Sequence, residues 1–137
     1  MKRKYGLGIF LMLLVVTALS VSVPVSAKTY SENGVWKRRI GKTTWYFDVN
    51  DYTSREPGSK YYGVVYIYKG KKNYNKHNFC VHAEYTKRGK NKYQIKYQGG
   101  KIRFTVSKKS IKLQQKSGKV KGVKLNGKFK LVKRHYS

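Results

Sequence analysis

Cys80, His82 and Glu84 stand at alternate positions within the run Phe79–Tyr85. In an extended chain, residues at i, i+2 and i+4 leave from one face, with successive side chains about 7 Å apart. A thiol, an imidazole and a carboxylate on one face are ingredients of a nucleophile–base pair or of part of a metal site. The spacing argues against both. About 7 Å is too far for a direct hydrogen bond between neighbours, and the run has neither CxxC nor HExxH spacing. Phe79, Val81, Ala83 and Tyr85 carry the apolar content of the opposite face, so Cys80, His82 and Glu84 are expected outside. No catalytic residue, metal or cofactor is expected here or elsewhere.

The chemistry that dominates the chain is charge. Its 137 residues include 32 Lys+Arg and five Asp+Glu. The first 27 read as a secretory signal: Lys2, Arg3 and Lys4 start it, Ile9–Leu19 is its apolar core, and Val25-Ser26-Ala27 offers small residues for cleavage after Ala27. That core is short for the ~20 residues of a membrane span. Residues 28–137 then form one domain of 110 residues with net charge +24. Cys80 is the only cysteine, so no internal disulfide can form. Stability must come from packing, and residues 28–137 offer 12 Tyr, four Phe and two Trp for it.

Such a chain repels itself and seeks anions. The expected setting is extracellular or at the cell wall. The expected partners of the monomer are teichoic acid, acidic polysaccharide or nucleic acid. Lys37, Arg39, Lys96, Arg103, Lys124, Lys128 and Lys130 are the expected anion-binding surface. Lysines also keep an aromatic sheet soluble and its edges unpaired, but solubility alone rarely needs so one-sided a charge.

These residues need strands to hold them. In Lys92–Ser107, Tyr93, Ile95 and Tyr97 alternate with polar residues, and after Gly99-Gly100 so do Ile102, Phe104 and Val106. Strict alternation is the period of a half-buried strand, and Gly-Gly suits a two-residue turn. That register sets Tyr97 opposite Ile102, Ile95 opposite Phe104, Tyr93 opposite Val106, and Lys96 opposite Arg103. Gly34–Ile40 and Thr43–Val49 pair around Gly41-Lys42, with Trp36 facing Phe47, Arg38 facing Trp45 and Ile40 facing Thr43. Arg38 then shares a face with both Trp, where a guanidinium can lie on an indole.

Asn50–Tyr61 is a loop turning at Pro57-Gly58. Tyr62–Lys69 is apolar on both faces, with Val64, Tyr66 and Tyr68 on one side and Val65 and Ile67 on the other. Gly70–Lys76 is a basic turn, and Asn78–Thr86 is the next strand. Ile111–Gln114 is a short strand and Lys116–Lys119 a turn. Val120–Leu125 and Lys128–Lys133 form a last hairpin whose faces agree only with a three-residue or bulged connection at Asn126-Gly127. Eight or nine short strands at regular spacing indicate an all-β fold. A meander of this kind closes most naturally as an antiparallel up-and-down barrel, which removes the exposed edges.

Gly34-Val35-Trp36 opens the first strand and Arg134 follows the last. With a meander between them, the chain resembles the calycin group, the lipocalins and their barrel relatives. The resemblance implies a lipocalin-like barrel in which Trp36 and Arg134 form a structural pair at the closed end. It also implies an interior that is filled or holds one small apolar ligand, lined by Trp36, Arg38, Trp45, Phe47, Tyr66, Phe79, Tyr93, Phe104 and Phe129. The expected function is binding. A cationic antimicrobial or toxin-like action on anionic membranes is the alternative, and its usual amphipathic basic helix is missing. A further alternative is a secreted ribonuclease, since Glu84, Arg103 and His135 are the residue types some of those enzymes carry on an antiparallel sheet.

Overall fold

The computed structural model describes residues 28–70 and 79–135. The expected secretory signal, and most of the basic turn expected at Gly70–Lys76, lie outside the described residues. The described chain is all-β. Eight strands run in sequence order around a closed antiparallel barrel: β1 (Gly34–Ile40), β2 (Thr43–Asp51), β3 (Tyr61–Lys69), β4 (Phe79–Gly89), β5 (Lys92–Tyr97), β6 (Gly100–Val106), β7 (Ser110–Gly118) and β8 (Gly127–Arg134). β8 returns to β1, so each strand has two neighbours.

Period-2 patterning sets inside from outside. Trp36, Trp45, Phe47, Val49, Val65, Ile67, Val81, Tyr85, Tyr93, Ile95, Ile102, Phe104, Val106, Ile111, Leu113 and Phe129 fill the interior. Lys37, Arg39, Lys92, Lys96, Thr105, Lys112, Lys128 and Lys130 alternate with them on the exposed outer face. The β1–β2 register is the expected one, with Trp36 opposite Phe47, Arg38 opposite Trp45 and Ile40 opposite Thr43.

Three local expectations are corrected. In the β5–β6 hairpin Tyr97 faces Gly100, Ile95 faces Ile102 and Tyr93 faces Phe104. The turn is Gln98-Gly99, two residues out of the expected register, so each side chain keeps its face. Gly100 serves packing: a Cβ there would lie 2.2 Å from the Ser117 carbonyl oxygen of β7. In β3 the inward residues are Val65 and Ile67, because they face Val49 and Phe47 of β2. A strand apolar on both sides does not state its own inner face; its neighbour decides. Finally, Val120–Leu125 is no strand. β7 continues to Gly118, and residues 119–126 fold over one end of the barrel, placing Val120 and Leu125 in the core.

Side chains tie both ends. At the capped end Gln115 Nε2 donates to the Tyr97 hydroxyl (2.6 Å), the Leu125 N–H donates to Gln115 Oε1 (3.3 Å), and the Gln115 N–H donates to Asn126 Oδ1 (2.7 Å). At the other end the lead segment 28–33 is held in place. Tyr85 donates its hydroxyl to Glu32 Oε2 (2.8 Å), and Trp36 Nε1 donates to the Glu32 carbonyl (3.1 Å).

Candidate anion-binding seam

The interior candidates separate into three groups. Trp36, Trp45, Phe47, Tyr93, Phe104 and Phe129 belong to one buried cluster. Their rings touch: Phe47 meets Phe104 edge-on at 5.0 Å and Phe129 at 6.3 Å, and Tyr93 stacks on Phe104 at 5.4 Å. Tyr66 and Phe79 lie on the outer wall instead, packed on each other at 4.7 Å. Tyr66 is outside because Val65 and Ile67 are inside. Phe79 is outside because of a bulge: Ile67 faces Val81 but Tyr68 faces Phe79, so Cys80 is an extra residue and switches the face. Arg38 stands at the rim of the capped end, where its Nη1 donates to the Asn126 carbonyl. The cations over the indoles are Lys69 on Trp45 (5.7 Å) and Arg134 on Trp36 (6.0 Å). Arg134 also donates to the carbonyls of Ser31 (3.0 Å) and Lys108 (2.8 Å), which locks the last strand to the lead segment.

The bulge also breaks the Cys80–His82–Glu84 strip. Cys80 packs partly against the core, while His82 and Glu84 stay outside. Glu84 accepts from the Tyr52 hydroxyl (2.8 Å), which together with burial, the larger cause, raises the Tyr52 pKa to about 12. Arg103 donates to Gln94 (3.1 Å), and His135 contacts the buried Asp48 (2.6 Å). Glu84, Arg103 and His135 therefore engage three different partners. Inside the barrel, burial and then Glu32 hold the Tyr85 and Tyr93 hydroxyls well above the usual tyrosine range.

What the fold does bring together is positive charge. The five acids all lie between Glu32 and Glu84, whereas residues 85–137 hold 18 Lys and Arg and no acid. The register makes an array of them. Lys37 faces Lys130 across β1/β8 and Lys112 faces Lys128 across β7/β8, while Lys96 faces Lys101 across β5/β6, apart from these. One row runs across the strands through Lys92, Thr105, Lys112 and Lys128. Beside Lys128 it reaches Arg39, which faces Thr44. A parallel row holds Ser110, Lys130, Lys37 and Tyr46. Neighbours are about 5 Å apart along a row, and the rows about 7 Å apart along the strands.

Of the expected anion-binding residues, Lys37, Arg39, Lys128 and Lys130 converge. Lys96 faces Lys101 rather than Arg103, and Arg103 faces Gln94, so the expected Lys96/Arg103 pair does not exist. Lys124 lies exposed in the capping segment, away from the two rows. Composition did not single out Lys92 and Lys112. They join the array only through the pairing of β5 with β6 and of β7 with β8.

Among the described residues, grooves open beyond the last rungs of two strand pairs. Between β4 and β5 the rungs run from Gly89/Lys92 to Tyr85/Ile95. Beyond them a groove of about 520 Å³ is lined by Lys60, Lys96, His82, Glu84 and Tyr97, among others, and so carries both signs of charge. Between β1 and β8 the last rung is Lys37/Lys130. Past it the Arg38 guanidinium crosses the seam over Gly127, where a Cβ would collide with it. The resulting groove of about 360 Å³ is lined by Lys37, Arg38, Arg39, Thr44, Lys128 and Lys130 and holds no carboxylate. Comparison with protein-family models, with curated proteins and with solved structures found no match for this chain.

Proposed function

We propose that this protein is a secreted, calycin-like barrel that associates electrostatically with anionic polymers of a cell envelope through the outer wall of β5–β8 and β1. The single observation carrying this reading is the two rows of cations, above all their like-charged cross-strand pairs Lys37/Lys130 and Lys112/Lys128. Like charges directly opposite one another are destabilising. Two ammonium groups about 6 Å apart in water repel by roughly 0.7 kcal/mol. An anion lying between them reverses the sign of that contribution. The reading places binding on the wall, since the interior aromatics are buried against one another.

The proposed mechanism is charge neutralisation with release of counterions, without readout of a monomer sequence. The test is retention of the protein on immobilised teichoic acid and on heparin across a salt gradient. Tight retention at low salt and release at high salt are expected; retention that does not change with salt would refute the reading. Leakage from anionic vesicles at the same protein concentrations would favour membrane action instead.

A further inference from the structure

We propose that the groove at the β1–β8 seam is a discrete subsite for one tetrahedral oxyanion, the phosphate or sulfate group of the bound polymer, with Arg38 as its floor. This rests on the polyanion reading and narrows it to a place and a ligand chemistry. Diffuse attraction of a polyanion needs no geometry, and here there is some. Lys37 and Arg39 from β1 and Lys128 and Lys130 from β8 surround a concavity of about 360 Å³, and Thr44 adds a hydroxyl. Cations reaching in from two strands suit an anion with oxygens in several directions better than a planar carboxylate.

Arg38 separates this groove from the rest of the cationic wall. By strand parity it belongs with the inward residues Trp36 and Ile40, yet it ends at the rim among outward cations. Its side chain passes over Gly127, and its Nη1 donates to the Asn126 carbonyl. A guanidinium has five N–H donors in a fixed fork. One neutral carbonyl orients Arg38 without neutralising it, and the remaining fork edge can meet an oxyanion with little ordering cost. Gly127, at φ +119°, is the residue that leaves room for this.

The experiment titrates the protein with pyrophosphate, inorganic phosphate, sulfate and acetate at fixed ionic strength, followed by calorimetry and by thermal unfolding. Three variants are compared with wild type: Arg38→Met, Arg39→Gln/Lys128→Gln, and Lys96→Gln/Lys101→Gln. The last pair loses the same charge as the second, outside the groove. Saturable pyrophosphate binding is expected in wild type and in the Lys96/Lys101 variant, with at least tenfold weaker binding in the other two. Arg39 and Lys128 are exposed, so that variant keeps the test alive should Arg38→Met not fold. Phosphate binding tighter than sulfate points to a phosphodiester polymer, and the reverse to a sulfated one.

Equal weakening in both double variants, or acetate acting as strongly as phosphate, would overturn the subsite. If salt-sensitive polymer retention survives that result, the polyanion reading stands without the subsite. If retention is salt-insensitive, the polyanion reading falls, whatever pyrophosphate does.

Discussion

Replacing Lys37, Arg39, Lys128 and Lys130 together by Gln should flatten the salt dependence of polyanion binding by an amount the structure sets. The two rows contain six cations: Lys92, Lys112, Lys128, Arg39, Lys130 and Lys37. For a flexible single-stranded polyanion the slope of log K against log salt is about −0.7 per neutralised phosphate, so six contacts give roughly −4. Raising salt threefold then weakens binding about 100-fold. The quadruple variant keeps two of the six, a slope of roughly −1.4, and loses only about fivefold over the same interval. Fluorescence anisotropy of a labelled 20-nucleotide oligo(dT), titrated at several salt concentrations, measures both slopes. The control removes four charges off the rows, as Lys96→Gln/Lys101→Gln/Lys116→Gln/Lys121→Gln, and should keep a slope near that of wild type. If it flattens the slope as much as the quadruple variant does, only net charge matters and the argument from register is wrong.

Relieving repulsion should also stabilise the free protein. Lys130→Gln removes one member of the Lys37/Lys130 pair, and at low salt a gain of about 0.2–1 kcal/mol is expected in urea unfolding, shrinking as salt rises. Arg134→Ala loses two charge-assisted hydrogen bonds and the contact over Trp36, so a loss of about 2–3 kcal/mol in the same assay is expected, with polyanion affinity at low salt nearly unchanged. Alkali should weaken the fold through Tyr85. Its hydroxyl stays protonated in the folded state well above the ordinary pKa of 10.0, so its contribution is fully present below about pH 10 and is lost as pH rises above that. In urea titrations between pH 9 and 11.5, Tyr85→Phe should therefore lose less stability than wild type, by up to about 1.4 kcal/mol per pH unit. Gln115→Ala unties Leu125 and Tyr97 from β7, and hydrogen exchange should show faster opening of residues 119–126 while the β2–β3 ladder stays protected.

The parts of the fold that came straight from the chain are those where one face alone is apolar. Trp36, Trp45 and Phe47 fixed the β1–β2 register, and Tyr93, Ile95, Ile102 and Phe104 fixed the inner face of the next clear hairpin. Two aromatic side chains leave their expected face where that condition fails. Tyr66 sits on a strand apolar on both sides, so only the pairing of Val65 and Ile67 with β2 could orient it. Phe79 changes face through a one-residue bulge, which leaves no trace in a period of two. Gly99-Gly100 and Asn126-Gly127 looked like turns, yet Gly100 serves a close approach to β7 and Gly127 makes room for Arg38.

The sequence by itself determined an all-β chain, its closure by short antiparallel connections, and a strongly one-sided positive charge. All three follow from alternation, spacing and counts of ionisable groups, which do not depend on distant contacts. Only the tertiary structure decided where the charge gathers. Lys37 and Lys130 are far apart in the chain, and they become neighbours because the barrel closes β8 onto β1. Arg38, which by alternation belongs with the aromatics, reaches the rim because the seam opens over a residue without a side chain. Cross-strand neighbours in a closed barrel are set by register around the whole wall, and that register is a property of all eight strands together.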